Sequence, residues 1–154
     1  MNREKRLDLI KKIVDSQKIA TQGELLTSLK NEGVDATQAT ISRDIKVLGL
    51  FKSRKADGTK YYVTPYKQKE AKKLNRIHEA IRDNVTGVER IAWLNIVRMP
   101  LNSNYANALG SLFDTSNMPE IVGTLAGNDT LVIISKSEDA AAKMQEFILQ
   151  SIKD

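Results

Sequence analysis

The sequence predicts an α+β protein in two parts, and three observations carry the prediction. Apolar residues recur at helical spacing up to about residue 48, strand-like runs set off by turn signals follow, and charge divides unevenly along the chain. Residues 1–73 hold 17 Lys and Arg against 9 Asp and Glu, and residues 74–154 hold 7 against 10, so a part of charge +8 is joined to one of −3. That asymmetry suggests one module for a polyanion and a second module with a different task. A composition 41% hydrophobic and 28% charged over 154 residues suits one ordinary domain or two small ones.

The first part reads as three helices and a hairpin. Leu7, Ile10, Ile13 and Val14 line one stripe of a helix over about residues 3–16. Thr21-Gln22-Gly23-Glu24 matches a capping box, which starts a second helix carrying Leu25, Leu26 and Leu29; it should stop near Asn31-Glu32-Gly33, where Gly33 can turn left-handed. A third helix is expected within residues 35–48, with Thr37 as N-cap, Ile41, Ile45 and Leu48 on one stripe and Gln38, Ser42 and Lys46 on the other side with Arg43 beside them. Leu50 to Lys55 and Thr59 to Val63, joined through Asp57-Gly58, make a basic two-stranded hairpin. Three helices followed by such a hairpin make a winged helix-turn-helix domain, placed at residues 1–66.

Residues 67–73, Lys-Gln-Lys-Glu-Ala-Lys-Lys, are polar enough for a linker or for the exposed start of the next helix, and we place the linker there. Beyond it, Leu74, Ile77, Ala80, Ile81 and Val85 predict a helix, Val88 to Met99 a strand, and residues 103–114 a helix with Ala106, Leu109, Leu112 and Phe113 inward. Strands over 120–126 and 130–135, separated by Gly127-Asn128-Asp129, and a final helix from Ser137 to about Ile152 complete residues 74–154. This reads as a small α/β oligomerisation domain with an antiparallel sheet, whose core would gain from burying one face against another subunit.

The third helix points to double-stranded DNA. A guanidinium such as that of Arg43 can grip guanine O6 and N7 together, Gln38 suits adenine, and Ser42 suits base or phosphate. Arg54, Lys55 and Lys60 in the wing suit phosphates or the minor groove, which add affinity and salt dependence but little sequence information. The expected DNA-binding set is Gln38, Thr40, Ser42, Arg43 and Lys46 on the helix and Arg54, Lys55 and Lys60 on the wing. The plainer alternative is a protein-interaction module with a solvated basic surface.

The run Ala39-Thr40-Ile41-Ser42-Arg43-Asp44-Ile45-Lys46-Val47-Leu48-Gly49-Leu50 closely resembles the signature of bacterial arginine repressors. Gly123-Thr124-Leu125-Ala126-Gly127-Asn128-Asp129-Thr130, followed by an apolar strand, resembles the second signature of that family, so the likeness spans nearly the whole chain. The resemblance implies a C-terminal domain forming trimers that pair into hexamers, palindromic operators at arginine biosynthesis and catabolism genes, and L-arginine as corepressor between subunits. It places the family's recognition Ser-Arg pair on Ser42 and Arg43, and its ligand positions on Asn107, Asp114, Thr124, Ala126, Asn128 and Asp129.

Two departures stand within that likeness. The family usually has Gly-Asp-Asp, whose first acid faces the arginine guanidinium, where this chain has Asn128; its Pro-Gly-x-Ala-Gln stretch becomes Ser103-Asn104-Tyr105-Ala106-Asn107. A hydrogen bond to a charged partner is worth roughly 1.5 to 3 kcal/mol against roughly 0.5 to 1.5 for a neutral one, so Asn128 predicts arginine binding weaker by about tenfold. A second reading therefore keeps DNA binding with a weak or absent arginine response, the chain acting beside an arginine-sensing paralogous regulator. A third, of another class, is an architectural factor folding DNA for recombination. Gly127-Asn128-Asp129 also reads simply as a tight turn of residues that tolerate left-handed backbone.

Other signals point away from catalysis. The sequence has no cysteine and one histidine, His78, without a partner of ligand spacing, so neither a metal site nor a nucleophilic triad is expected. No Gly-rich phosphate loop occurs, and Glu138 and Asp139 favour the positive end of the last helix. No enzymatic activity and no cofactor are expected. With neither an apolar leader nor a membrane-length apolar stretch, the expected location is the cytoplasm.

Overall fold

The structure, a computed structural model, describes residues 2–154. The chain divides into two compact units, Met1–Lys69 and Glu70–Asp154. The division falls inside the stretch expected to link residues 1–66 and 74–154, and Met1 itself lies outside the described residues. Residues 67–73 are nevertheless not a linker in form: they are helical, within α4 (Pro65–Asn84). Pro65 opens that helix at the position where its missing N–H costs nothing, and the lysines and Glu70 that follow are good helix formers.

In the first unit, α1 (Arg3–Ser16), α2 (Gln22–Asn31) and α3 (Gln38–Val47) precede a hairpin of β1 (Phe51–Arg54) and β2 (Lys60–Val63). Each helix starts at a side-chain cap: Asn2, Thr21 and Thr37 accept from backbone N–H groups of the first turn. The Thr21 box takes a variant form, since Glu24 Oε2 accepts from Ala20 N at 2.7 Å rather than from the cap residue itself. Gly33 closes α2 with φ 76°. Ile10, Ile13 and Val14 meet Leu25, Leu29, Ile41, Ile45 and Leu50 in one core, which Tyr62 joins from the hairpin.

The second unit stacks helices on one antiparallel sheet. After α4 come β3 (Gly87–Ile91), β4 (Leu94–Arg98), α5 (Ala106–Asp114), β5 (Ile121–Ala126), β6 (Thr130–Ser135) and α6 (Glu138–Lys153), and the strand order is β3-β4-β6-β5. The single strand expected over 88–99 is thus two strands folded back on each other, with Ile91 opposite Leu94. The turn lacks a Gly or Asn signal because Ala92 takes the left-handed conformation, φ 51°, and Arg90 Nη1 donates to its carbonyl at 3.3 Å. Trp93, at that turn, is 56% exposed.

Val97, Leu131 and Ile133 point from the sheet to a core shared with Ile77, Ile81, Leu109, Phe113, Met144 and Ile148 of the helices. The pleat turns alternate residues the other way. Register sets Ile96 against Val132 and Val132 against Leu125, and Leu94 against both Ile91 and Ile134. These six apolar residues are half-buried or exposed, a sheet face that no element of the unit covers.

Candidate nucleic-acid interface and effector site

The α3 helix presents a sorted surface. Ile41, Asp44 and Ile45 are buried, Leu48 packs on the core, and Ala39, Arg43, Lys46 and Val47 are exposed on the opposite side. Gln38 is exposed at the flank, and Ser42 and Thr40 are half-buried. Thr37 Oγ1 accepts from Thr40 N at 3.2 Å and shares a 3.0 Å hydrogen bond with the Thr40 hydroxyl, so part of Thr40's polar capacity serves the cap. The first turn's remaining N–H groups have no partner within the helix, an arrangement that favours anions.

One residue of the motif faces inward, and spacing alone did not reveal it. Asp44 is 2% exposed and receives Arg6 of α1, Nε to Oδ2 at 2.7 Å and Nη2 to Oδ1 at 3.3 Å. This two-pronged bond holds the recognition helix to α1, and it raises the Arg6 pKa above the ordinary guanidinium value against the opposing effect of burial. The signal available in the sequence was an acid on the apolar stripe of α3, at i+3 from Ile41, with a basic residue in the flanking helix.

The wing concentrates positive charge at its tip. Arg54 sits directly across from Lys60 in the β1–β2 ladder, an arrangement of like charges that costs stability. Lys55 Nζ lies 5.4 Å from the centre of the Tyr61 ring, and Lys52 Nζ lies 5.3 Å from that of Tyr62. Gly58, with φ 83°, and a backbone bond from its N–H to Lys55 O at 2.9 Å close the turn. Asp57 accepts from the Thr59 hydroxyl at 2.6 Å and from Thr59 N at 2.9 Å, which holds its carboxyl below the usual carboxylate range. Among the described residues Arg43, Lys46, Arg54 and Lys60 enter no ion pair, so their charge is free for an external anion.

In the second unit the structure brings together two of the six expected ligand positions. Thr124 Oγ1 of β5 donates to Asp114 Oδ1, at the end of α5, at 3.0 Å. Gly110 permits that approach: a Cβ there would stand 3.1 Å from both Thr124 Oγ1 and Leu131 Cδ1. Sequence reading missed Gly110, since a glycine inside a helix is a weak local signal. Asn107 is exposed two turns before Asp114 on the same helix, and Ala126 and Asn128 are exposed at the β5–β6 turn. Asp129 is half-buried with its carbonyl accepting from Met99 N at 3.0 Å. No hydrogen bond among the described residues joins the side chains of Asn107, Asn128 or Asp129 to the Asp114–Thr124 pair.

The β5–β6 connection is a tight turn, with Gly127 N donating to Thr130 O at 2.8 Å. None of Gly127, Asn128 and Asp129 uses the left-handed backbone their types allow. Tyr105 stands at the N-cap of α5 without a capping hydrogen bond. His78 Nδ1 lies 2.7 Å from Ser151 Oγ, and its ring packs 4.5 Å from that of Phe147, a link between α4 and α6. Ser151 Oγ also lies 2.7 Å from Phe147 O, to which its hydroxyl can donate.

Both units match known sequences. Residues 1–70 match the family model described as arginine repressor, DNA binding domain, and residues 81–150 match arginine repressor, C-terminal domain. The chain belongs to the arginine repressor family. It is 35% identical to the arginine regulator of Lactiplantibacillus plantarum, over 100% of this chain and 99% of that protein. It is also 35% identical to the arginine repressor of Lactobacillus delbrueckii subsp. bulgaricus, over 100% and 98%, and 38% identical to that of Exiguobacterium sibiricum, over 97% and 98%. Arginine repressors are DNA-binding transcriptional regulators, not enzymes, and this chain carries both of the family's domains. Among the described residues no helix is long and apolar enough to cross a membrane.

Proposed function

We propose that this arginine repressor family member binds palindromic operators at arginine biosynthesis and catabolism genes as an oligomer in the cytoplasm, with L-arginine as corepressor. The observation that carries this reading is the outward face of α3: Arg43 and Lys46 stand exposed and unpaired beside Gln38 and Ser42, on a helix held from behind by the Asp44–Arg6 bond. Gln38, Thr40, Ser42 and Arg43 meet base edges and nearby phosphates, and Lys46, Arg54, Lys55 and Lys60 neutralise phosphates. The uncovered sheet face around Ile96, Val132 and Leu125 is where copies associate, since apolar surface of that kind is rarely left to water. The family's trimer and hexamer are the expected assemblies.

The effector reading rests on the hydrogen-bonded pair Asp114 and Thr124, with Asn107, Ala126 and Asn128 exposed and Asp129 half-buried, a set that a neighbouring copy would complete. The test is a gel-shift titration on an arginine-gene operator with and without L-arginine at stated salt concentration. Tighter binding with arginine is expected, and equal binding in both lanes removes the corepressor. One feature favours a second reading, in which arginine binds weakly or not at all and a paralogous partner senses it: Asn128 is exposed and neutral where a carboxylate would face the guanidinium. Calorimetry giving a dissociation constant well below millimolar would exclude that alternative.

A further inference from the structure

Ala39, Arg43 and Val47 stand at i, i+4 and i+8 of α3 and form one row along its outward surface. Ala39 is exposed and Val47 is 55% exposed, so an aliphatic group flanks the unpaired guanidinium on each side. The fold does not account for Val47. Its helix already contributes Ile41, Ile45 and Leu48 to the core, and a β-branched residue adds nothing to helix propensity. In the major groove only one base edge presents an apolar group, the 5-methyl of thymine, whereas the remaining edges offer hydrogen-bond donors and acceptors.

We propose that Ala39 and Val47 read thymine methyl groups on either side of the base edge gripped by Arg43. The inference rests on the DNA-binding reading above and deepens it, because it names which bases the face selects. Eight residues of helix rise by roughly 12 Å, which along the groove corresponds to about three to four base-pair steps. The two methyls are therefore separated by that interval, with the Arg43 contact between them. Lys46, beside the row, supplies the charge complementarity that seats the face on the duplex.

The test begins by selecting duplexes from a randomised pool with the full-length protein. Each thymine of a selected duplex is then replaced singly by deoxyuridine, which removes the methyl and leaves pairing, phosphates and hydrogen-bonding edges unchanged. At fixed salt, affinity should fall about fourfold at two thymines in each half-site, the worth of one methyl-sized group withdrawn from water. Val47→Ala should shrink the thymine-to-uracil ratio at one of these positions and Ala39→Gly at the other. A ratio taken within one variant is blind to any loss of folded protein. A tightly bound duplex indifferent to every thymine replacement overturns the methyl reading alone, as does an unchanged ratio in both variants. A pool that yields no preferred duplex overturns the DNA-reading face and this inference with it.

Discussion

Arg6→Ala tests the internal support of the recognition helix. The guanidinium is the only side-chain partner that Asp44 has among the described residues, and Asp44 is almost sealed from solvent. Removing one member of a buried ion pair costs about 3 to 5 kcal/mol, because the other charge is left uncompensated. Arg6 is itself 18% exposed, so water can reach part of the vacated space, and the lower end of that range, about 3 kcal/mol, is expected. The converse change, Asp44→Ala, leaves a charge on a long stem near the surface of α1, which can turn out to solvent. It forfeits charge-assisted hydrogen bonds but strands nothing, and should cost about 1.5 to 2 kcal/mol. Thermal unfolding followed by far-UV circular dichroism reads the difference, since each 1 kcal/mol moves the midpoint of so small a unit by about 4 to 8 °C. Trp93, the single tryptophan, lies in the other unit, so its fluorescence transition should stay in place as a control. An Asp44→Ala loss equal to or larger than that of Arg6→Ala would refute the reasoning.

Three further outcomes follow from the same geometry. Lys60→Thr should remove the like-charge pairing with Arg54 and raise stability by a few tenths of a kcal/mol, while weakening DNA binding about uniformly across sequences and lowering the salt slope by about 1; an unchanged slope would mean that Lys60 touches no phosphate. Because Thr59 holds the folded Asp57 carboxyl below its unfolded value, its contribution is present above the ordinary carboxylate range and lost as pH falls through the lowered folded value. Asp57→Asn should abolish that acid-sensitive increment, and an NMR titration of Asp57 at or above the ordinary range would contradict it. Asn128→Asp should tighten L-arginine by about tenfold in calorimetry, and no change would detach position 128 from the ligand.

The helices of the first unit were legible because their start and stop signals are local: Thr21, Thr37 and Gly33 each act within a few residues. The same locality explains the failures. The β3–β4 turn rests on Ala92 in a conformation that its residue type disfavours, held by Arg90 two residues before it and by Ser135 N donating to Trp93 O at 3.0 Å, and Ser135 is so distant in sequence that it leaves no nearby mark. Asp44 falls in a motif whose outward residues draw attention, and its inward role depends on Arg6, 38 residues away. Gly110 matters only because β5 approaches α5, a tertiary fact. Outward positions such as Arg43 and Lys46 were readable since exposure follows from helical period, whereas the ligand positions came from resemblance and only Asp114 and Thr124 are joined by a bond within one chain.

That partial assembly bears on how an effector could act. Asp114, Thr124 and Asn128 lie along or beside β5, an edge strand, and the uncovered apolar face runs onto the same strand at Leu125. On the proposed reading, a ligand that completes its contacts only when a second copy arrives stabilises the assembly and not the lone chain, so effector and oligomer are linked by mass action. A ligand at ten times its dissociation constant adds about 1.4 kcal/mol per site to the assembled state, and one bound tenfold more weakly adds only about 0.4 kcal/mol at the same concentration. On the same reading a neutral Asn128 would loosen the hold of arginine on assembly without altering the proposed DNA-reading surface, which stands on separate residues in a separate unit. On that reading the sheet face would carry association whether or not ligand is present, and position 128 would set how far arginine can shift it.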